Sequence, residues 1–305
     1  MPESGLTVYG RCDLMRTASE LMAWTHLGKA MEFYAADRLE LAHDAMALAL
    51  NAGLHPGHMF DRQRAVDAEL AARRDGVHMR VGEHLIVEAP ETLLSRPGIV
   101  RLIAEAVLDI SVIWSLRWGK PVLVTIFSSH DAVLFLHSRY GYYSERSETH
   151  KICLPPSVCR ARSVLRQAVR HEAAHAAVHT LAGDAAPRWL DEGIAVWSEE
   201  PEGRDPDLRL AAMGEQVPTL QAIEASLGTY DVELDSTRAA IAYAAAGSFV
   251  GWLIEQVGVE GVRGVVAAIG HFGDTARTIR RTLRRDLRRL EREWRLTVAG
   301  GSEPA

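Results

Sequence analysis

Residues 171–175 read His-Glu-Ala-Ala-His, and Glu192 follows seventeen residues after His175, within Trp-Leu-Asp-Glu-Gly-Ile-Ala. No other part of the chain restricts the fold as tightly. On a helix, His171 and His175 share one face and rise about 6 Å along the axis. Both imidazoles can then reach one metal ion, and Glu172 is angled toward the same open side. The flanking Val164, Leu165, Ala168, Val169, Ala173, Ala174, Ala176, Ala177 and Val178 are apolar and largely helix-forming, so the helix is a buried one. Two histidines and a glutamate on a buried helix need a partner, since such groups are costly to bury alone. Gly183 ends this helix, Asp184 is a candidate cap, and Pro187 opens a second one. The short connection returns Glu192 toward the first helix.

Imidazole and carboxylate ligands in tetrahedral geometry suit zinc, with one position left for water. The ligand set His171, His175 and Glu192 predicts one Zn2+ per chain. HExxH on a helix is a metalloprotease arrangement, and spacing decides between its classes. The metzincin pattern needs Gly and His where Val178 and Leu181 stand. His179 is off that spacing and reads as a solvated or core histidine. The inverted H-x-x-E-H order is absent. What remains is a glutamate third ligand on a following helix.

With Pro-Arg-Trp-Leu-Asp-Glu-Gly-Ile-Ala at 187–195, the sequence resembles the gluzincin metallopeptidases, the clan of thermolysin and aminopeptidase N. It is most similar to the bacterial peptidase MA-like members. The resemblance spans roughly residues 76–298, with its specificity in the zinc motifs. It implies His171, His175 and Glu192 as zinc ligands, Glu172 as general base, and a peptide or protein substrate. Tyr243, in Ala-Tyr-Ala-Ala-Ala-Gly-Ser-Phe, resembles the tyrosine that stabilises the oxyanion, although the usual Lys-Gly after it is missing. The exopeptidase signature Gly-x-Met-Glu-Asn is absent, so aminopeptidase activity is not implied. The alternative function is a non-catalytic interaction module on a peptidase-like fold.

The remaining chain predicts an α+β protein. Strands precede the HEAAH helix and helices follow it. Leu21, Trp24, Gly28, Met31 and Ala35 form a helical stripe, followed by helices at 39–50 and 61–74. Trp24, Leu27, Gly28, Ala42, Met46 and Ala49 partly match one tetratricopeptide unit, although a plain helical hairpin fits a single visible unit better. The expected organisation is a helical segment at 1–75, a zincin-like domain at 76–298 and a flexible tail at 299–305. The N-terminal helices are a candidate surface for a protein partner. Strands are expected at 78–88, 121–127 and 149–154, and the gluzincin resemblance implies that the last is a sheet edge able to pair with extended substrate. A helix is expected at 91–118, a short one from Ser129, a turn-rich loop at 140–143 and an exposed loop at 199–207.

Charge and apolar content exclude some partners. The net charge of −6 does not suggest nucleic acid or an anionic membrane. Nine arginines between Arg277 and Arg295 alternate with Asp286, Glu291 and Glu293, which reads as a solvated helix with local ion pairs. Residues 239–254 are uncharged but only 16 long, short of the roughly 20 that span a bilayer. They read as a buried helix behind the metal site. Residues 1–16 contain Glu3, Arg11 and Asp13 and no apolar core, so neither a signal peptide nor an anchor is expected. The odd, sparse set of Cys12, Cys153 and Cys159 fits a reducing compartment, and the expected location is cytoplasmic.

Overall fold

Helical stripes and β-branched runs produce a mixed α+β structure with one five-stranded sheet. The computed structural model describes residues 18–128, 141–200, 217–227 and 236–300. The expected short helix at Ser129, residues 1–16 and the loop residues 201–207 lie outside these. The chain divides into two units, 1–67 and 68–305.

In the first unit, α1 (Ala18–Ala35) packs on α2 (Leu39–Asn51). The buried face of α1 is Ala23, Leu27 and Ala30, facing a helix that buries Ala42, Ala45, Met46 and Ala49. The expected stripe is therefore the wrong face. Leu21 is 60% exposed, and Trp24 rests near the ring of His58 instead of in the core. Alanine-rich faces let two helices approach closely, and this outweighs burying the larger side chains.

The unit boundary falls inside α3 (Phe60–Arg73), earlier than the expected 75. The last turns of α3 are anchored in the second unit. Arg73 forms a two-pronged ion pair with Glu88, at 2.7 and 2.8 Å, and the fully buried Lys151 pairs with the fully buried Glu69.

The sheet contains β1 (Gly76–Val81), β2 (Leu85–Pro90), β3 (Val122–Ile126), β4 (Tyr142–Glu145) and β5 (His150–Leu154), in the order β1-β2-β3-β5-β4. Three expectations are corrected. The single strand at 78–88 is a hairpin turning at Gly82, whose φ of 64° suits glycine. The helix at 91–118 is two, α4 (Glu91–Leu94) and α5 (Ile99–Ile113), because Pro97-Gly98 interrupts it and Gly98 has a φ of 78°. The strand before the HEAAH helix is not an edge. It pairs in parallel with β3 and antiparallel with β4, and among the described strands β4 is the edge on that side, with β1 at the other. Tyr142 and Tyr143 thus belong to a strand, not a loop.

The sheet packs its Val122, Val124, Ile126, Ile152 and Leu154 into one core with α5, α6 (Arg162–Ala182) and α7 (Arg188–Glu199). The polar stripe of α5 meets arginines of α6: Glu105 pairs with Arg166 at 3.5 Å, and Asp109 with Arg170. The remaining helices are α8 (Leu220–Leu227), α9 (Ser236–Phe272), α10 (Thr275–Leu283) and α11 (Leu287–Gly300). Helix α11 extends into the expected tail.

Helix α9 is broken at Gly258 (φ 72°). Among the described residues, its 237–272 stretch is the one helix long and apolar enough to cross a bilayer. Of its most apolar window, 61% is buried within the fold, as in a core helix. The arginine segment carries local ion pairs, with Glu293 binding Arg285 and Arg289. Trp294 is fully buried and donates to Ser248 Oγ at 2.9 Å. Cys153 and Cys159 are both buried free thiols, and burial pushes them up to about 12 and about 11.

Helices α7 and α9 touch through bare backbone. A Cβ on Gly193 would stand 2.5 Å from Ala246 O and 2.6 Å from Val250 Cγ2, and one on Gly247 would stand 2.5 Å from Val196 Cγ1. Gly193→Ala should therefore force the helices apart. Overpacking of this kind costs about 1–3 kcal/mol, so a melting temperature several degrees lower is expected. Coincident thermal melts of variant and wild type would refute this.

Candidate metal centre

The site is assembled by two helices and the turn between them. Helix α6 ends at Gly183, whose φ of 57° is strained for other residues, and Pro187 precedes α7 in extended conformation. Helix α7 lacks a side-chain cap of its own. Glu224 of α8 caps it from outside, accepting from the backbone N–H of Arg188 at 3.2 Å and of Trp189 at 3.0 Å. Trp189 is buried edge-on against Phe249 of α9. Asp184 is fully exposed and caps neither helix.

Held this way, α7 presents Glu192 to the two histidines. His175 Nε2 lies 3.3 Å from His171 Nε2, and Glu192 Oε2 lies 3.6 and 3.5 Å from these two nitrogens. The Glu192 contacts are long for hydrogen bonds. Ligands bound about 2.0–2.2 Å from a tetrahedral zinc stand roughly 3.3–3.6 Å from one another, and all three spacings match. Glu192 Oε2 is buried and has no hydrogen-bond partner. A buried carboxylate oxygen left over in this way is what a cation would satisfy.

The outer nitrogens reinforce the arrangement. His171 Nδ1 meets Glu199 Oε1 at 3.0 Å, and His175 Nδ1 meets Asp191 Oδ1 at 2.8 Å. Each ring can give its Nδ1–H to a carboxylate and turn Nε2 to the common centre, the orientation expected of metal-binding histidines. Sequence reasoning did not find Glu199, although it lies seven residues past Glu192 and so on the same helix face.

Charge in this cluster is strongly coupled. Burial opposes protonation of His171, yet Glu192 and Glu199 override it and push its pKa up to about 10. For His175, burial is likewise overcome, chiefly by Asp191 and Glu192, and its pKa rises well above the usual imidazole range. Glu192 is held well below the carboxylate range by both imidazoles despite its burial. The site holds positive charge between its acidic groups, which a divalent cation could supply in place of protons.

Glu172 is buried and is not one of the three converging side chains. Burial is the main cause of its raised pKa, with His171 and His175 acting in the opposite sense. A Cβ on Gly141, at the head of β4, would stand 3.2 Å from Glu172 Oε1, 3.0 Å from Cys153 O and 2.7 Å from Leu154 Cδ2. Only glycine leaves the carboxylate its room there. Tyr243 lies on α9, one turn before the Gly247 contact with α7, and is 39% exposed. His179 is a quarter exposed and faces Glu145 of the edge strand.

Compared with family models and with curated proteins, the sequence matches none.

Proposed function

We propose that this chain is a zinc-dependent metallopeptidase with a zincin-like second unit. The observation that carries this reading is the convergence of His171 Nε2, His175 Nε2 and Glu192 Oε2 at mutual distances of 3.3–3.6 Å, with Glu172 buried beside them. These three residues would hold one Zn2+. Bound there, the ion supplies Lewis acidity, polarising a carbonyl and acidifying a water.

The chain's own residues divide the remaining work. Asp191 and Glu199 keep the imidazoles in the tautomer that offers Nε2. Glu172 takes the proton of the attacking water and returns it to the leaving amine. Its burial raises its basicity for that transfer. Gly141 keeps the space beside it open. Tyr243 donates its phenol proton to the developing oxyanion. The substrate is a peptide or protein. The outer side of β4, the edge strand, offers backbone groups to an extended segment. The unpaired thiols of Cys153 and Cys159 suit a cytoplasmic setting.

The alternative, a non-catalytic interaction module with a protein partner on the N-terminal helices, draws on exposed Leu21, Met22, Trp24 and Phe60. The buried Glu172 favours the enzyme, since a metal held only for structure needs no free carboxylate beside it. The zinc-loaded protein, incubated with a diverse peptide pool, should release new amino termini, and chelation should abolish this. A pool left intact by the loaded protein would overturn the reading.

The role of Tyr243 has its own test. Tyr243→Phe keeps the ring and should lower kcat by roughly 10²–10³-fold, as loss of one oxyanion donor does. KM should change little, because the contact forms in the transition state. A normal kcat would make the tyrosine structural and turn attention to Tyr142 and Tyr143.

A further inference from the structure

A second group of metal-binding side chains lies one turn farther along α6. Register places it there: Glu145 pairs with His150 and Tyr143 with Ile152, so Tyr143, Glu145 and His150 point to one face of the sheet. That is the face of Ile152, which packs into the core with α6. His179, four residues past His175, meets them from the helix. Glu145 Oε2 lies 3.2 Å from His150 Nδ1 and 3.3 Å from His179 Nδ1, and the three ligand atoms all lie within 4.8 Å of one another. These two spacings again fit the edges of a tetrahedron around a cation with ligands at about 2.0 Å.

The hydrogen bonds fix which nitrogen of His150 is available. Thr180 Oγ1 gives its proton to Ala176 O at 2.7 Å. Its 3.3 Å contact with His150 Nε2 must then be one in which the histidine donates. His150 Nδ1 is left with its lone pair, the form that ligates metal. It is nearly buried, with Trp118 edge-on against the ring. His179 Nε2 is directed at Asp184 Oδ1, 3.5 Å away, leaving Nδ1 toward Glu145. The Tyr143 hydroxyl contacts both Glu145 Oε2 and His150 Nδ1, the latter at 3.0 Å. One phenol proton serves two acceptors there.

We infer that Glu145, His150 and His179 form a second binding site for a first-row divalent transition metal such as zinc. Two imidazoles and one carboxylate are the donor set such ions prefer, whereas magnesium and calcium prefer oxygen alone. A cation there gives Glu145 Oε2 and His150 Nδ1 a common partner in place of the one phenol proton of Tyr143. Lys120 contacts Glu145 Oε1, which leaves Oε2 for the ion and also makes the site weaker than the one at His171. Occupancy ties the edge strand to the last turns of α6. The inference stands apart from the proposed peptidase activity, because it uses none of the same ligands.

The test is a titration of the metal-free full-length protein with Co2+, read by its visible absorption, together with zinc content after loading and desalting. Wild type should take two equivalents, the second more weakly. Glu145→Gln and His179→Asn should each take one, with the melting temperature of the metal-free protein unchanged. His171→Asn should also take one. A wild type that takes one equivalent while His171→Asn takes none refutes the second site and leaves the first intact. One equivalent in both proteins refutes the first site and leaves the second. Two equivalents that survive both Glu145→Gln and His179→Asn also overturn the inference.

Discussion

Replacing Glu172 by Gln should leave bound zinc and the melting temperature close to wild type and lower turnover by roughly 10²–10⁴-fold, the range for a lost general base. The substitution is nearly isosteric, and the room left by Gly141 accommodates an amide as well as a carboxylate. What disappears is a group able to accept a proton. The pH profile provides a second readout. Burial raises the Glu172 pKa, and the base works only when ionised. Activity should therefore fall as pH drops through that raised value, and any residual activity of the variant should lack this acidic limb. Equal turnover in the two proteins would sink the hydrolytic mechanism.

Glu192→Ala should produce the other large effect, on metal rather than on rate alone. It removes one of three ligands, so zinc affinity should fall by more than the roughly 10–100-fold that loss of an outer-shell partner causes. Asp191→Asn, which touches His175 Nδ1 rather than the metal position, should fall within that smaller range. Competition against a chromophoric chelator measures both. If Glu192→Ala retained wild-type affinity, the third ligand would have to be Asp191 or Asp184. Asp191 already meets His175 Nδ1, and Asp184 is fully exposed beside His179.

The three proposed ligands stand together in the sequence pattern because their geometry is local. Two histidines four apart, a glycine stop and a proline start determine where a glutamate seventeen residues later comes to lie. Glu199 obeys the same helical arithmetic, seven residues past Glu192, but falls outside the HExxH and Trp-Leu-Asp-Glu-Gly patterns. Gly141, Glu145 and His150 were not readable. Their positions depend on the register of β4 against β5, which a four-residue strand does not announce. The reversed face of α1 has another cause. Size favours the large side chains as the core, while the helix pair closes on Ala23, Ala30, Ala42 and Ala49. The break at Pro97-Gly98 was visible in the sequence and was hidden by continuous apolar periodicity on either side.

Glu224 reaches α7 from a later part of the chain. The backbone at the start of α7 is held by a carboxylate thirty-six residues beyond Arg188, and the next restraint, at Ala246 and Val250, lies farther along still. In a chain made only through the end of α7, that helix has just earlier elements to pack against, through Trp114 and the core of α5 and α6. The carboxylate that caps the start of α7 and the α9 backbone that seats against Gly193 are both still to come. The two histidines and Glu192 thus precede their last two restraints in the order of synthesis.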